Sequence, residues 1–232
     1  MSSPGEIHRS ASTWQQPVPA SASAERTALV GQVADRILAL GPGRLRVGID
    51  GLTAAGKTSF GHEVAEWISR AGRPVLRASL DDFKRPWREA HLYDRLSGAG
   101  YYRNAFDYPA IRTLLLEPCG PDGSGRCALC ATDPLTQIDH SSELIQVAEN
   151  AVLIVDGVFA FRPEINAHWD FRIWLEVSPE VSVRRGAARD NDEALHRDRY
   201  LPAERIYLAE VDPLSFMDVV IDNSIFERPR LT

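Results

Sequence analysis

The stretch Gly51-Leu-Thr-Ala-Ala-Gly56-Lys57-Thr58 fits the pattern G-x-x-x-x-G-K-[ST], a loop whose backbone N–H groups cradle phosphates. Its glycines let the main chain approach an anion closely, and the positive end of the following helix faces the same point. Lys57 reaches the outer phosphates, and the Thr58 hydroxyl is a ligand for Mg²⁺. Gly51, Ala54, Ala55, Gly56, Lys57, Thr58 and Ser59 are therefore the candidate nucleotide-binding set. Asp81 and Asp82 follow the apolar run Pro74 to Leu80, and carboxylates at the carboxyl end of a strand lie where open α/β sheets bind ligands. Successive side chains on a strand point in opposite directions, so only one of the two faces such a site. A carboxylate of pKa about 4 is already ionised at neutral pH and accepts a hydroxyl proton as transfer proceeds. Asp156 ends the run Ala151-Val-Leu-Ile-Val-Asp and is the metal-side candidate beside Thr58. Arg184, Arg185, Arg189, Arg197, Arg199 and Arg205 are dense for an acidic chain. Arginines that close over a phosphate stabilise the charge that develops there, which marks about 184–205 as a lid. Gly100-Tyr-Tyr-Arg-Asn-Ala-Phe-Asp107-Tyr-Pro109 combines aromatics with a carboxylate. Those residues alone fit either a ligand's ring and hydroxyls or a loop packed on the core.

These residues need elements to position them. Arg44 to Asp50 reads as a short strand, and Phe60, Val64, Trp67, Ile68 and Ala71 recur at helical spacing after the loop. Strand, glycine loop and helix are the setting the motif requires. Leu29, Val33, Ile37 and Leu40 mark a helix from Ala24 to Leu40, capped by Ser23 and stopped by Gly41-Pro42-Gly43. Ala151 to Asp156 is the near-continuous apolar run of a central parallel strand. Phe171 to Val177 and Asp218 to Asp222 are further strands, and Pro179 starts the helix that carries the first lid arginines. Cys127–Thr132 and Ile138–Val147 are expected to pair as a small hairpin insertion. Strands alternating with helices imply an α/β fold, a doubly wound parallel sheet with flanking helices. The expected organisation is a loosely held tail over 1–23, rich in Ser, Ala and Pro with Trp14 the exception, then a single domain over 24–232 ending in a short tail from Glu227.

Composition narrows the class. A net charge of −6 gives the 232-residue chain no overall attraction for nucleic acid or an anionic membrane. No apolar run is long enough to span a bilayer, and no charged-then-apolar leader opens the chain. Three clustered cysteines do not suggest a disulfide scaffold, so a cytoplasmic location is expected. Cys127-x-x-Cys130, with Cys119 and His140 nearby, lacks a second ligand pair and reads as packed small side chains. The guanine-reading run Asn-Lys-x-Asp is absent.

Taken together, the motifs resemble the uridine kinase and phosphoribulokinase family of P-loop kinases, which includes a bacterial type of pantothenate kinase. The resemblance runs from about Arg46 to Asn223. Ser79-Leu-Asp81-Asp-Phe83 is similar to the family's Asp-Ser-Phe-Tyr motif, which implies that Asp81 is the base. Phe106-Asp107-Tyr108-Pro109 resembles Phe-Asp-His-Pro, whose Asp binds sugar hydroxyls, and Val183 to Asp190 resembles the Arg-Arg-x-x-Arg-Asp run that opens the lid. The resemblance implies ATP and Mg²⁺ as cofactors, with Asp81, Lys57, Arg185 and Arg189 catalytic. It implies Asp81, Phe83, Tyr102, Arg103, Asp107 and Arg189 against the acceptor, and Thr58 and Asp156 against the metal. The acceptor it implies first is nucleoside-like, uridine or cytidine, with pantothenate, a sugar phosphate or a non-enzymatic nucleotide-binding module as alternatives. Association into a homo-oligomer is compatible with it. Two departures stand out: Lys84 replaces the family's Tyr, and Cys127 to Pro134 lacks the His that reads a base.

Overall fold

The structure, a computed structural model, describes residues 5–12 and 22–232; Trp14 lies outside the described residues. The helix α1 (Ala24–Leu38) starts where Ser23 Oγ accepts a hydrogen bond from Arg26 N at 3.0 Å. It buries Leu29, Val30, Val33, Ala34 and Ile37. Each such side chain contributes about 1.5–3 kcal/mol when fully buried. β2 (Leu45–Gly51) leads into the glycine loop, and α2 (Lys57–Arg70) leaves it. Gly56 makes that junction with φ +97°, a left-handed conformation that favours glycine. β3 (Val75–Ser79), β6 (Val152–Asp156), β7 (Phe171–Glu176) and β8 (Val219–Asp222) complete the parallel core of the sheet.

With β1 (Ile7–Arg9) at one edge and β9 (Arg230–Leu231) at the other, the sheet runs β1-β3-β6-β2-β7-β8-β9, parallel throughout except for the last pair. β6 pairs β3 on one side and β2 on the other, which brings Ser79 and Asp156 level with each other and Ile49 level with Asp156. Alternation then divides the core. Val47, Ile49, Val152, Ile154, Ile173 and Leu175 face α1 and α2. Leu76, Ala78, Leu153, Val155 and Trp174 face the opposite layer, where α3 (Gly98–Asn104) and α5 (Leu201–Val211) pack together. Between β7 and α5, Ser178 Oγ accepts from Val181 N at 3.3 Å and caps α4 (Pro179–Asp190).

The ends of the chain differ from the sequence expectation. Within the expected tail over 1–23, β1 (Ile7–Arg9) adds a parallel edge strand to β3, and Gly5 N donates to Ser69 O at 2.7 Å. At the other end β9 (Arg230–Leu231) pairs antiparallel with β8. Both are too short and polar to show a period; the sheet edge supplies their hydrogen bonds. The hairpin is mostly irregular: β4 (Arg126–Cys127) pairs β5 (Ile145–Gln146), and one further bridge joins Thr132 to Asp139.

Candidate active site

The carboxyl ends of β2, β3 and β6 open onto one cleft of about 500 Å³. Of the residues singled out in the sequence, Ala54, Gly56, Lys57, Thr58, Ser59, Asp81, Asp156, Arg185 and Arg189 line it. Gly51 sits at the loop's root with φ +148°, where a Cβ would collide with the Leu175 carbonyl. Ala55 is buried, and its carbonyl accepts from Asn223 Nδ2 at 2.6 Å. A Cβ at Gly56 would stand 2.7 Å from that same Asn223 nitrogen, so the loop cannot tolerate a side chain there without moving its own support. Asn223 in turn accepts from Arg26 at 3.0 Å, and Arg26 is ion-paired to Glu63 at 2.6 Å.

Lys57 Nζ donates to the Gly51 and Leu52 carbonyls at 2.9 and 2.8 Å. Burial lowers its pKa, against the attraction of Asp50, Glu204, Asp156 and Asp81. The Thr58 hydroxyl donates to Asp156 Oδ2 at 2.5 Å. The other carboxylate oxygen of Asp156 takes Arg77 Nη2, also at 2.5 Å, in a pair that is only 3% exposed on either side. Asp81 pairs with Lys84 Nζ at 2.7 Å. Burial alone would raise the Asp81 carboxyl, but the Lys84 charge and hydrogen bond, with Lys57 and Arg189 behind them, hold it below the usual carboxylate range. Both aspartates lie past the end of β3, on a 3-10 turn over Leu80–Phe83 and not on the strand itself, and Asp82 lines a separate hollow beside Ser12 and His62. It is buried, and burial pushes its carboxyl up to about 7 against hydrogen bonds from Ser12 and Ser10.

Four expected acceptor residues lie elsewhere. Phe83 is fully buried in the core. Tyr102 is buried against Phe159 and Tyr207, and Arg103 pairs with Glu210 at 2.6 Å on the surface. Asp107 Oδ1 accepts from Ala110 N at 3.1 Å and caps a short helical turn. The aromatics of this stretch largely pack the core, one of the two readings that the sequence left open.

Several polar residues of the site carry no contiguous motif. Asp50 is fully buried: Oδ1 accepts from Gly51 N at 2.7 Å, and Oδ2 accepts from the Tyr207 hydroxyl at 2.7 Å and Ala160 N at 2.8 Å. Burial raises it to about 6, opposed by the charge of Lys57. Glu204 Oε1 accepts from the Thr53 N–H and hydroxyl at 2.5 and 2.6 Å, and burial raises its pKa. Arg77 has a legible signal, a charge in the middle of an apolar strand.

No family model matches the chain. Over 170 residues it is 25% identical to a uridine kinase of Lactobacillus helveticus, a match covering 72% of this chain and 77% of that one. Its fold is similar to a solved structure from Bacillus stearothermophilus provisionally named a uridine kinase. The TM-score is 0.63 at 22% identity, over 84% of this chain and 96% of the other. A structure from Silicibacter sp. TM1040, provisionally named a fructose transport system kinase, gives 0.62 at 23% identity, covering 79% and 94%. The architecture is that of a P-loop kinase, and the resemblance to the uridine kinase-like P-loop kinases stands.

Proposed function

We propose that this chain is an ATP-dependent small-molecule kinase that moves the γ-phosphoryl group of ATP onto an alcohol oxygen. The observation that carries the reading is the convergence of Lys57, Thr58, Asp81, Asp156, Arg185 and Arg189 on one cleft at the carboxyl end of the sheet. The phosphates lie on the loop from Gly51 to Ser59, where Lys57 exchanges its two carbonyl partners for phosphate oxygens. Asp81 orients the acceptor hydroxyl and takes its proton as the oxygen–phosphorus bond forms and the bond to the β-phosphate oxygen breaks, releasing ADP. Arg185 and Arg189 face the charge that spreads over the transferred group.

Magnesium fits the residues present. A hydroxyl and a carboxylate oxygen, Thr58 Oγ1 and Asp156 Oδ2, meet at the mouth of the loop, and Mg²⁺ prefers hard oxygen donors with one or two protein ligands beside the phosphates. When bound it neutralises phosphate charge. The Arg77 pair leaves Asp156 one oxygen for that role.

The reading treats 24–232, with the edge strand Ile7–Arg9 added to its sheet, as one domain with 184–205 as its lid, in a reducing cytoplasm suited to three free cysteines. No described helix is long and apolar enough to cross a membrane. A nucleoside is the acceptor that the resemblance suggests first. The test is Asp81→Asn in a coupled ADP-release assay against a panel of nucleosides, pantothenate and sugar phosphates. The expected result is acceptor-dependent turnover that falls by about 10²–10⁴-fold in the variant while ATP affinity holds. ATP binding with no acceptor-dependent turnover, and background hydrolysis indifferent to the variant, would favour a nucleotide-binding regulatory module.

A further inference from the structure

Arg26 on α1 is fully buried, and its contacts lead to the glycine loop. Its Nε and Nη2 donate to the Glu63 carboxylate on α2 at 2.8 and 2.6 Å. Its Nη1 donates to Asn223 Oδ1 and to the Phe226 carbonyl, both at 3.0 Å. The Phe226 ring centre lies 3.9 Å from the guanidinium carbon. Asn223, fully buried just past the end of β8, donates through Nδ2 to the Ala55 carbonyl at 2.6 Å. The roles of its two amide ends follow from their partners. A guanidinium only donates and a carbonyl only accepts, so Oδ1 faces Arg26 and Nδ2 faces the loop. A buried ion pair adds little stability over well-packed apolar side chains. An apolar residue at 26 could fill the same space, but it could not choose which way the Asn223 amide points.

The Asn223 contact sets the Ala55–Gly56 peptide. No described peptide bond is cis, and a trans peptide holds its C=O and N–H antiparallel. With the Ala55 carbonyl turned to Asn223, the Gly56 N–H points away from it, and Gly56 borders the cleft. Resting on the nucleotide-binding part of the reading above, we propose that Asn223 is a positioning residue: its amide, oriented by Arg26, aims the Gly56 N–H at a nucleotide phosphate on the loop. The donor is aimed before nucleotide arrives, so it serves bound ATP and the transition state alike. Such uniform binding acts on the KM for ATP and not on kcat. Asn223 and Gly56 are 167 positions apart in sequence and carry no common motif.

The test uses the full chain and two replacements of Asn223. Asn223→Asp keeps the shape and the Arg26 contact but turns an acceptor toward the Ala55 carbonyl, and Asn223→Ala removes both contacts. Calorimetric titration with Mg-ADP is expected to show binding weakened by about ten-fold or more in Asn223→Asp, the worth of one hydrogen bond to a charged group. With an acceptor that turns over, the KM for ATP should rise by the same factor while kcat holds. A residue that only stabilised the fold would lower the melting curve and the active fraction, and would leave the affinity of the folded protein alone. A measurement on the unaltered chain covers variants that fail to fold. Isotope-labelled protein with Mg-ADP bound should show a nuclear coupling, carried by the hydrogen bond, between the Gly56 nitrogen and a phosphate phosphorus. The proposal is overturned by the absence of that coupling in the bound complex, by wild-type Mg-ADP affinity in a folded variant, or by a fall in kcat at unchanged KM. Two results separate it from the kinase reading. Nucleotide affinity that depends on Asn223, without transfer to any acceptor, sinks the kinase reading and leaves this proposal. Acceptor-dependent turnover indifferent to Asn223→Asp does the reverse, and a wild-type chain that binds no nucleotide overturns both.

Discussion

Asp81, the proposed base, stands 2.7 Å from a lysine ammonium. The pair makes sense if Lys84 keeps the carboxylate ionised in a buried position where it would otherwise protonate. Burial raises the Asp81 pKa, and the Lys84 charge and hydrogen bond more than reverse the effect. A base is active only when deprotonated, so rate is lost as pH falls through its pKa, and for Asp81 that loss lies below the ordinary carboxylate range. In Lys84→Ala the largest lowering influence is gone and burial remains. The acid limb of kcat/KM should move to higher pH, since an opposite charge this close favours the ionised carboxyl. The check is a pH–rate profile of wild type and variant with one acceptor, so that the acceptor's own titration is common to both. A limb that stays in place would mean that Asp81 is not the group whose protonation stops the reaction.

At the scale of elements, the site is a product of register. β6 sits between β2 and β3, and the pairing of Ser79 with Asp156 delivers both to the same edge. Arg77, two residues back on β3, lies level with Ile154 and reaches forward to Asp156. It also donates to the Ala78, Ile154 and Thr58 carbonyls at 2.5, 3.2 and 3.3 Å, so one side chain binds β3, β6 and the start of α2. Replacing it by Leu would leave a buried carboxylate without its partner, at a cost of about 3–5 kcal/mol. Urea unfolding of Arg77→Leu should show a loss of that size, and a loss below about 1 kcal/mol would mean that water or Thr58 satisfies Asp156 unaided. The same elements show what can be read without a structure. β6 and β7 announce themselves as apolar runs because a central strand is buried on both faces. β1 and β9 do not, because two or three edge residues gain their order from a partner far along the chain. Lys57 and Thr58 are legible because the loop pattern fixes their spacing, and Asp81 because it follows an apolar run. Glu204 is not: its contact with Thr53 spans 151 residues and leaves no local pattern. Asp107 is legible only through its motif, and the Oδ1 of its side chain caps a turn.

The whole molecule couples the glycine loop to the segment whose Arg185, Arg189, Asp190, Leu195 and Tyr200 line the cleft. Thr53, inside the loop, gives two hydrogen bonds to Glu204 on α5, and its carbonyl accepts from Ser182 Oγ on α4 at 2.7 Å. Arg185 on α4 donates to the Asn223 and Ser224 carbonyls at 3.1 and 2.9 Å, beside the residue that supports the loop from behind. A nucleotide held on that loop, as proposed, would act on a segment that α4 and α5 both grip. Between them, the His196 ring is buried against Gly186, its Nε2 2.7 Å from Asp190 Oδ2. A Cβ at 186 would collide with that ring, so the ring keeps this place only beside a glycine. Closure should therefore be visible as slowed amide exchange over 184–205 when a non-hydrolysable ATP analogue and Mg²⁺ are added, since exchange reports local opening. The central strands should exchange at the same rate with and without nucleotide. In Gly186→Ala the displaced His196 should hold the segment open, so that nucleotide protects it several-fold less while the loop itself is still protected. That variant should also waste more ATP on water per acceptor phosphorylated, because an open cleft admits the competing nucleophile. If nucleotide left 184–205 unprotected in the wild-type chain, the segment would be a fixed wall of the site, and Arg185 and Arg189 would act from where they already stand.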